Sequence, residues 1–176
     1  MTALKTTLVL GGARSGKSTF AEQLVRDSGL HAIYIATAAA GDDEMRARIA
    51  QHRAQRGDRW RTVEEPLELA AACSREGRLG SVILVDCLTL WLSSLMLGGH
   101  DIVSHTQQLC DWLENPICPT VLVSNEVGMG LVPDTSLGRR FRDEQGRLNQ
   151  RIAACASDVV FVAAGLPLWI KRQSRN

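Results

Sequence analysis

The residues with the clearest chemistry are eight consecutive ones near the start of the chain, Gly-Gly-Ala-Arg-Ser-Gly-Lys-Ser at positions 11–18. They fit the pattern GxxxxGK[ST], in which the glycines let backbone N–H groups turn towards phosphate oxygens. The helix that follows such a loop adds positive potential at its N-terminus. We expect Lys17 to reach the β- and γ-phosphates of a nucleotide and the Ser18 hydroxyl to bind Mg²⁺. The motif therefore predicts a P-loop nucleotide-binding site.

An acidic residue further along the chain is a candidate for a second role at this site. Asp86 ends the apolar run 81–86, where a Walker B aspartate would hold Mg²⁺ directly or through water. A solvated aspartate at the end of a strand has the same pattern, and position alone does not separate the two.

A histidine is the most reactive candidate. His52 shares one helical face with Met45 and Ile49, and a neutral imidazole can act as a base or attack phosphorus directly. A histidine on an apolar helix face is also a common packing residue, so the spacing leaves both interpretations open. The nearby cations could surround a polyphosphate or form a solvated face; they are Arg53, Arg56, Arg59 and Arg61.

Five apolar runs of strand length alternate with helical patterns. The runs are 6–10, 31–36, 81–86, 120–125 and 158–163, and the helical patterns cover Lys17 to about Arg26, a stretch opened by Asp42, then 88–97, 103–113 and a long helix carrying Leu137 and Ile152. The last run is expected to be the last strand. This alternation predicts a mostly parallel sheet with helices on both faces, a three-layer, P-loop NTPase-like (RecA-like) α/β fold. The glycine-rich stretch 126–133 predicts a loop at the carboxyl edge of the sheet, where ligand loops lie.

Composition limits the classes of protein and partner. The 176 residues are enough for one domain with a substantial core, so we expect residues 1–176 to form a single domain. A net charge of +1 provides no general attraction for nucleic acid or lipid. The five cysteines lack CxxC spacing, which indicates free thiols in a reducing cytoplasm. Gly11 and Gly12 interrupt the first apolar run, and no segment reaches membrane-spanning length.

Two further groups of residues have ordinary structural explanations. The four tryptophans, Trp60, Trp91, Trp112 and Trp169, are expected in the core or an interface. Several of the arginines at positions 139, 140, 142, 147 and 151 must point outward from an amphipathic helix, so that only one or two could meet a ligand phosphate.

Seven blocks of the sequence resemble, in order, consecutive blocks of one enzyme family. They are GGARSGKS, YIATA, DDEMRARI followed by His52, WRTVEEP, VDCLTLW, VSNEVGMGLVP and FRDEQGRLNQRIA. The family is the bifunctional adenosylcobinamide kinase/adenosylcobinamide-phosphate guanylyltransferase of cobalamin biosynthesis. The match extends from about Leu8 to Lys171, and the blocks at 42–52 and 125–130 are more specific than the P-loop.

The resemblance implies two reactions. The enzyme would phosphorylate the aminopropanol hydroxyl of adenosylcobinamide with ATP or GTP, and then transfer GMP from GTP to that phosphate with release of pyrophosphate. It implies that His52 attacks the α-phosphate and carries GMP covalently. The loop after Asn125 is expected to face the corrinoid. A homo-oligomer, a trimer, is also implied, with the helices around Trp91 or Trp112 as a source of its interface.

The resemblance also assigns site residues. We expect Lys17 and His52 to be catalytic, and Ser18 and Asp86 to be metal ligands. Nucleotide contacts are expected from Gly11, Gly12, Ala13, Arg14, Ser15, Gly16, Lys17, Ser18, Ala36, Thr37, Ala38, Arg53, Ala54, Gln55, Arg56, Glu64 and Asp86. Glu64 and Asp86 could each serve Mg²⁺, a nucleotide hydroxyl or the guanine edge.

The chain departs from the family in one place, because Arg56 is followed by Gly57 and Asp58 where the family usually has a proline. The stretch 93–118 also matches weakly, so corrinoid contacts made from it do not transfer. Because attack requires a neutral imidazole, we expect the neighbouring arginines to lower the pKa of His52.

Two alternatives remain. One is a small-molecule kinase in which His52 is structural. The other is a GTP-binding switch, which needs segments that reorder with the γ-phosphate and a loop that reads guanine; the sequence has no NKxD-type signature.

Overall fold

The computed structural model describes residues 5–38 and 60–172. Seven strands lie within these ranges: β1 (Thr6–Gly11), β2 (His31–Ala36), β3 (Trp60–Glu64), β4 (Ser81–Asp86), β5 (Thr120–Asn125), β6 (Asp158–Ala163) and β7 (Leu166–Lys171). Five helices lie there as well: α1 (Lys17–Asp27), α2 (Leu69–Glu76), α3 (Leu88–Leu97), α4 (Ile102–Glu114) and α5 (Ser136–Cys155). The helix expected from Asp42 onwards lies outside the described residues.

The strands form one sheet in the order β3-β2-β4-β5-β1-β6-β7. All neighbouring pairs are parallel except β6 and β7, which are antiparallel. The mostly parallel sheet and the five predicted strands are confirmed. The arrangement places β5 between β1, which leads into the phosphate-binding loop, and β4, which carries Asp86.

The prediction that 158–163 is the last strand is wrong, because β7 follows it. Ala164 and Gly165 form a two-residue turn with φ of +52° and +79°, which is the backbone of a tight hairpin. Alanine rarely adopts that conformation, so the turn has no strong sequence signal. β3 and α2 were also not predicted; β3 is a partly exposed edge strand without a buried apolar run.

The core has two layers, one on each face of the sheet. One layer contains Leu8, Ile83 and Leu122 with the inner faces of α2 to α5. The other contains Val9, Leu84 and Val123 and packs against α1. Because side chains alternate along a strand, residues of odd number in β1 and β5 face α1. This alternation decides which side chains at the strand ends can meet the phosphate-binding loop.

The tryptophans are structural, as expected. Trp91 is 1% exposed and its Nε1 donates to the carbonyl of Leu67 at 2.8 Å, so Trp91 itself cannot contribute to a subunit interface. Trp112 packs partly buried against the core. The rings of Trp60 and Trp169 pack edge-on against Tyr34 and Phe20.

The arginines of α5 mostly serve the fold. Arg139 donates to the carbonyls of Pro133 and Asp134, Arg147 pairs with Glu144 at 2.7 Å, and Arg151 donates to the carbonyl of Val103. The stretch between β5 and α5 is a loop, as predicted. All five cysteines are free. Within the described ranges, no helix combines the length and apolar character needed to cross a bilayer.

Candidate nucleotide-binding site

The phosphate-binding loop joins the end of β1 to the start of α1 and requires glycine at two positions. Gly16 has φ of +93°, a left-handed conformation that favours glycine. A β-carbon on Gly11 would lie 2.4 Å from Ser15 Oγ and 2.6 Å from the carbonyl oxygen of Val162. These are the two glycines of the GxxxxGK[ST] pattern. A β-carbon on Gly12, by contrast, would meet nothing within 4 Å, so this residue borders open space.

Two hydrogen bonds hold the loop in place. The N–H of Gly165, in the turn between β6 and β7, donates to the carbonyl of Ser15 at 2.8 Å. The N–H of Glu126, directly after β5, donates to the carbonyl of Gly11 at 3.0 Å. The loop is therefore anchored on both sides by neighbouring strands.

Lys17 is half-buried at the first position of α1. Its Nζ donates to the carbonyl of Gly12 at 3.1 Å. The ammonium thus lies over the loop that would surround the phosphates. A bound phosphate would replace a neutral carbonyl by an anionic acceptor, which makes a stronger hydrogen bond.

The strand register brings several predicted residues onto the face that α1 covers. Gly11 pairs with Asn125, and Ala36 pairs with both Glu64 and Asp86. Paired residues share a face of the sheet, and their even or odd positions match those of the α1-facing core. The sheet therefore collects Gly11, Ala36, Glu64 and Asp86 at its carboxyl edge, on the side of the phosphate-binding loop.

Asp86 is held by hydrogen bonds within this edge. Tyr34 donates from its hydroxyl to Asp86 Oδ2 at 2.8 Å, and the N–H of Thr37 donates to the Asp86 carbonyl at 3.3 Å. The Thr37 hydroxyl accepts from the N–H of Cys87 and donates to the Cys87 carbonyl. The peptide bond between Asp86 and Cys87 is cis. Burial raises the pKa of the Cys87 thiol, and the charge of Asp86 raises it further.

The remaining predicted residues differ in accessibility. Thr37 is fully buried, so its visible role is to hold the turn that follows β2, whereas Glu64 is exposed on the edge strand β3. Ala13 and Arg14 are exposed in the loop, and Arg14 has φ of +55°. His52, Arg53, Ala54, Gln55, Arg56 and Arg59 lie outside the described residues.

A buried polar network that the sequence did not predict lies next to the loop. Gln145 of α5 is fully buried and donates to Ser124 Oγ and Asn149 Oδ1, both at 3.0 Å. Ser124 donates to Asn149 Oδ1 at 2.6 Å. The network fastens the end of β5 to α5. In the sequence, only the polar pair Ser124 and Asn125 at the end of an apolar run indicated this network.

Sequence comparison identifies the family to which the chain belongs. The family model CobU, described as cobinamide kinase / cobinamide phosphate guanyltransferase, matches residues 7–170. The chain belongs to the CobU family. The resemblance carried by the seven sequence blocks is thereby confirmed.

Relatives in the CobU family align over nearly their whole length. The bifunctional adenosylcobalamin biosynthesis protein CobP of Pseudomonas aeruginosa is 51% identical over 166 residues, covering 93% of this chain and 96% of that protein. The bifunctional adenosylcobalamin biosynthesis protein CobU of Escherichia coli is 42% identical over 179 residues, covering 93% of this chain and 98% of that protein.

Solved structures support the fold of this CobU-family chain. The flagellar accessory protein FlaH of Methanocaldococcus jannaschii aligns with a TM-score of 0.51 at 9% identity, covering 97% of this chain and 80% of FlaH. An ATPase of a bacterial type III secretion system aligns with a TM-score of 0.53 at 11% identity, covering 94% of this chain and 57% of the ATPase. At such identities the likeness concerns the fold alone, and it agrees with the predicted RecA-like architecture.

Proposed function

We propose that this chain catalyses both reactions of its family: phosphorylation of adenosylcobinamide with ATP or GTP, and transfer of GMP from GTP to the resulting phosphate with release of pyrophosphate. The observation that carries the proposal is the family match over residues 7–170. The phosphate-binding loop supports it, because a β-carbon on either of its two required glycines would come too close to neighbouring atoms. The product is adenosylcobinamide-GDP.

The nucleotide is proposed to bind along the carboxyl edge of the sheet. Residues 11–18 would surround the phosphates, and Lys17 would leave the Gly12 carbonyl, 3.1 Å away here, for the β- and γ-phosphates. The Ala36–Ala38 turn, Glu64 and Asp86 would contact the rest of the nucleotide from β2, β3 and β4. Their shared face of the sheet supports this arrangement.

The residues present fit Mg²⁺. Ser18 provides a hydroxyl at the start of α1, and Asp86 provides a carboxylate of which Oδ2 accepts from Tyr34. Mg²⁺ is commonly held by one or two protein oxygens together with phosphates and water. Among the described residues, no three His, Cys, Asp or Glu side chains cluster. This agrees with an ion held partly by phosphates and water. When bound, the ion would neutralise phosphate charge.

The corrinoid is proposed to approach the loop between β5 and α5. Three apolar side chains of this loop are exposed, Met129, Leu131 and Val132. Beside the loop, Gly128 and Arg142 line a groove of about 400 Å³ along α5. The carboxylate of Glu126 accepts from the N–H groups of Gly128 and Met129 and shapes the start of the loop. Exposed apolar surface beside polar groups suits a large ring with an amide rim.

His52 is proposed to be the nucleophile of the second reaction. Its imidazole would attack the α-phosphorus of GTP, pyrophosphate would leave, and the phosphoramidate would pass GMP to adenosylcobinamide phosphate. The support for this role is the resemblance of the 42–52 block.

The decisive experiment follows covalent transfer of GMP to the protein. Wild-type protein, His52→Ala and His31→Ala are incubated with Mg²⁺ and GTP labelled on the α-phosphate, denatured and treated with acid. His31 is an exposed histidine at the start of β2 and is the matched control. We expect acid-labile label on the wild type and the control alone. Label on His52→Ala would refute the assignment.

The two alternatives predict other results. A kinase without the second reaction phosphorylates cobinamide but takes up no label from GTP. A GTP-binding switch performs neither reaction. Unlabelled protein that still binds GTP therefore calls for the assay of cobinamide phosphorylation to separate these two.

Three further properties belong to this proposal. We propose that residues 1–176 form one domain that carries both activities, and that the enzyme acts in the cytoplasm, where its free thiols stay reduced. We also propose a homo-oligomer, specifically a trimer, as the family resemblance implies. Leu166, Leu168 and Ile170 of β7 are exposed apolar residues on an edge strand, which supports association.

A further inference from the structure

The carboxyl end of β5 carries a side chain that none of the roles above uses. Asn125 pairs with Gly11 of the phosphate-binding loop and lies on the face of the sheet that α1 covers. Its Oδ1 atom is covered, and the described parts of the chain offer it no hydrogen-bond donor. Native proteins seldom leave such an atom unpaired, and where they do it often marks a functional position.

Three hydrogen bonds hold the main chain at Asn125 and Glu126. Its N–H donates to Thr89 Oγ1 of α3 at 2.9 Å, and its carbonyl accepts from Asn149 Nδ2 of α5 at 3.0 Å. The next residue, Glu126, donates to the carbonyl of Gly11. Such fixation is expected for a residue that must present a polar group at a set distance from the loop.

We propose that Asn125 is a catalytic residue that donates a hydrogen bond from Nδ2 to the terminal phosphate of the bound nucleoside triphosphate. Because Oδ1 is covered, the amide nitrogen is the end of the side chain available to a ligand. Asn125 lies beside Gly11, the first residue of the phosphate-binding loop. Lys17 of the same loop is expected to contact the β- and γ-phosphates. The inference rests on the proposed kinase activity and adds a residue to it.

The contact would act on the transferred group. In the phosphorylation step the hydroxyl oxygen of the substrate bonds to the γ-phosphorus, and the bond from that phosphorus to the β–γ bridging oxygen breaks. The hydroxyl proton passes to solvent, and the nucleoside diphosphate leaves with the bonding electron pair. A neutral donor on a non-bridging γ-oxygen orients the phosphoryl group and stabilises its charge. The same donor has no partner in a diphosphate complex.

The first test measures nucleotide affinities by calorimetry, using a non-hydrolysable ATP analogue and ADP. In Asn125→Ala we expect the preference for the triphosphate to fall about tenfold, the size of one hydrogen bond to a charged group, with ADP affinity unchanged to within about twofold. Asn125→Asp keeps the shape but repels phosphate, so the preference should fall further. Asn115→Ala changes an exposed asparagine after α4 and should match the wild type.

The second test measures cobinamide phosphorylation, for which kcat should fall about 100-fold in Asn125→Ala, as on loss of one charge-stabilising donor. Equal weakening of ADP and the analogue, or an unchanged preference, would overturn the proposal. If thermal melting shows that Asn125→Ala is unfolded, the nearly isosteric Asn125→Asp decides. A wild type that binds both nucleotides but leaves cobinamide unmodified refutes the kinase activity, while the affinity ratio still tests Asn125.

Discussion

At the scale of single residues, Lys17 carries the main positive charge expected at the phosphates. Its Nζ now donates to the neutral carbonyl of Gly12, so Lys17→Ala removes little from the free protein. We expect nucleotide affinity to fall about 10- to 100-fold in this variant, the value of a hydrogen bond to a charged group, measured by calorimetry. Lys171→Ala is the matched control, because Lys171 donates to three carbonyls at the end of α5 and should affect stability alone. Equal affinities for wild type and Lys17→Ala would contradict this role.

At the scale of elements, the polar network between β5 and α5 determines how the strand end is presented to the phosphate-binding loop. Asn149 contacts Ser124, Asn125 and Gln145. Asn149→Ala removes the acceptor of the Ser124 hydroxyl and the donor to the Asn125 carbonyl, which should lower the free energy of unfolding by about 1–3 kcal/mol. Urea unfolding measures the change, with Asn115→Ala as the exposed control. A loss no larger than that of the control would show that the network does not hold the two elements together.

At the scale of the whole molecule, buried thiols make stability depend on pH. Burial raises the pKa of Cys73 and of Cys110 from 9.0 to about 12. Above pH 9 the unfolded chain loses these protons first, so the stability they provide is complete below pH 9 and declines as the pH rises towards 12. We expect the urea midpoint to fall less between pH 8 and pH 10.5 in Cys73→Ala than in the wild type, by roughly one thiol's contribution. Identical declines would contradict the prediction.

Much of the fold could be predicted because buried parallel strands are continuous apolar runs. The five strands inside the sheet have such runs, whereas the edge strand β3 lacks one and the apolar run of the edge strand β7 is not buried. In β3 only Trp60 and Val63 are apolar, and no residue of the strand is fully buried. β7 is mostly exposed and depends on a hairpin turn at Ala164 and Gly165 that no strong turn signal marks.

The sequence by itself determined the phosphate-binding loop, the family and the identity of the reactive candidates, because GxxxxGK[ST] chemistry is local and its glycines are required by the loop's own backbone. Only the tertiary structure decided which strand ends share a face with that loop, since this depends on strand order and register. Gly11 thereby acquires Asn125 as its neighbour, although 113 positions separate them in the chain. Ala36 likewise acquires Glu64 and Asp86. Hydrogen bonding between distant strands establishes these pairs, and no local pattern of residue types encodes it.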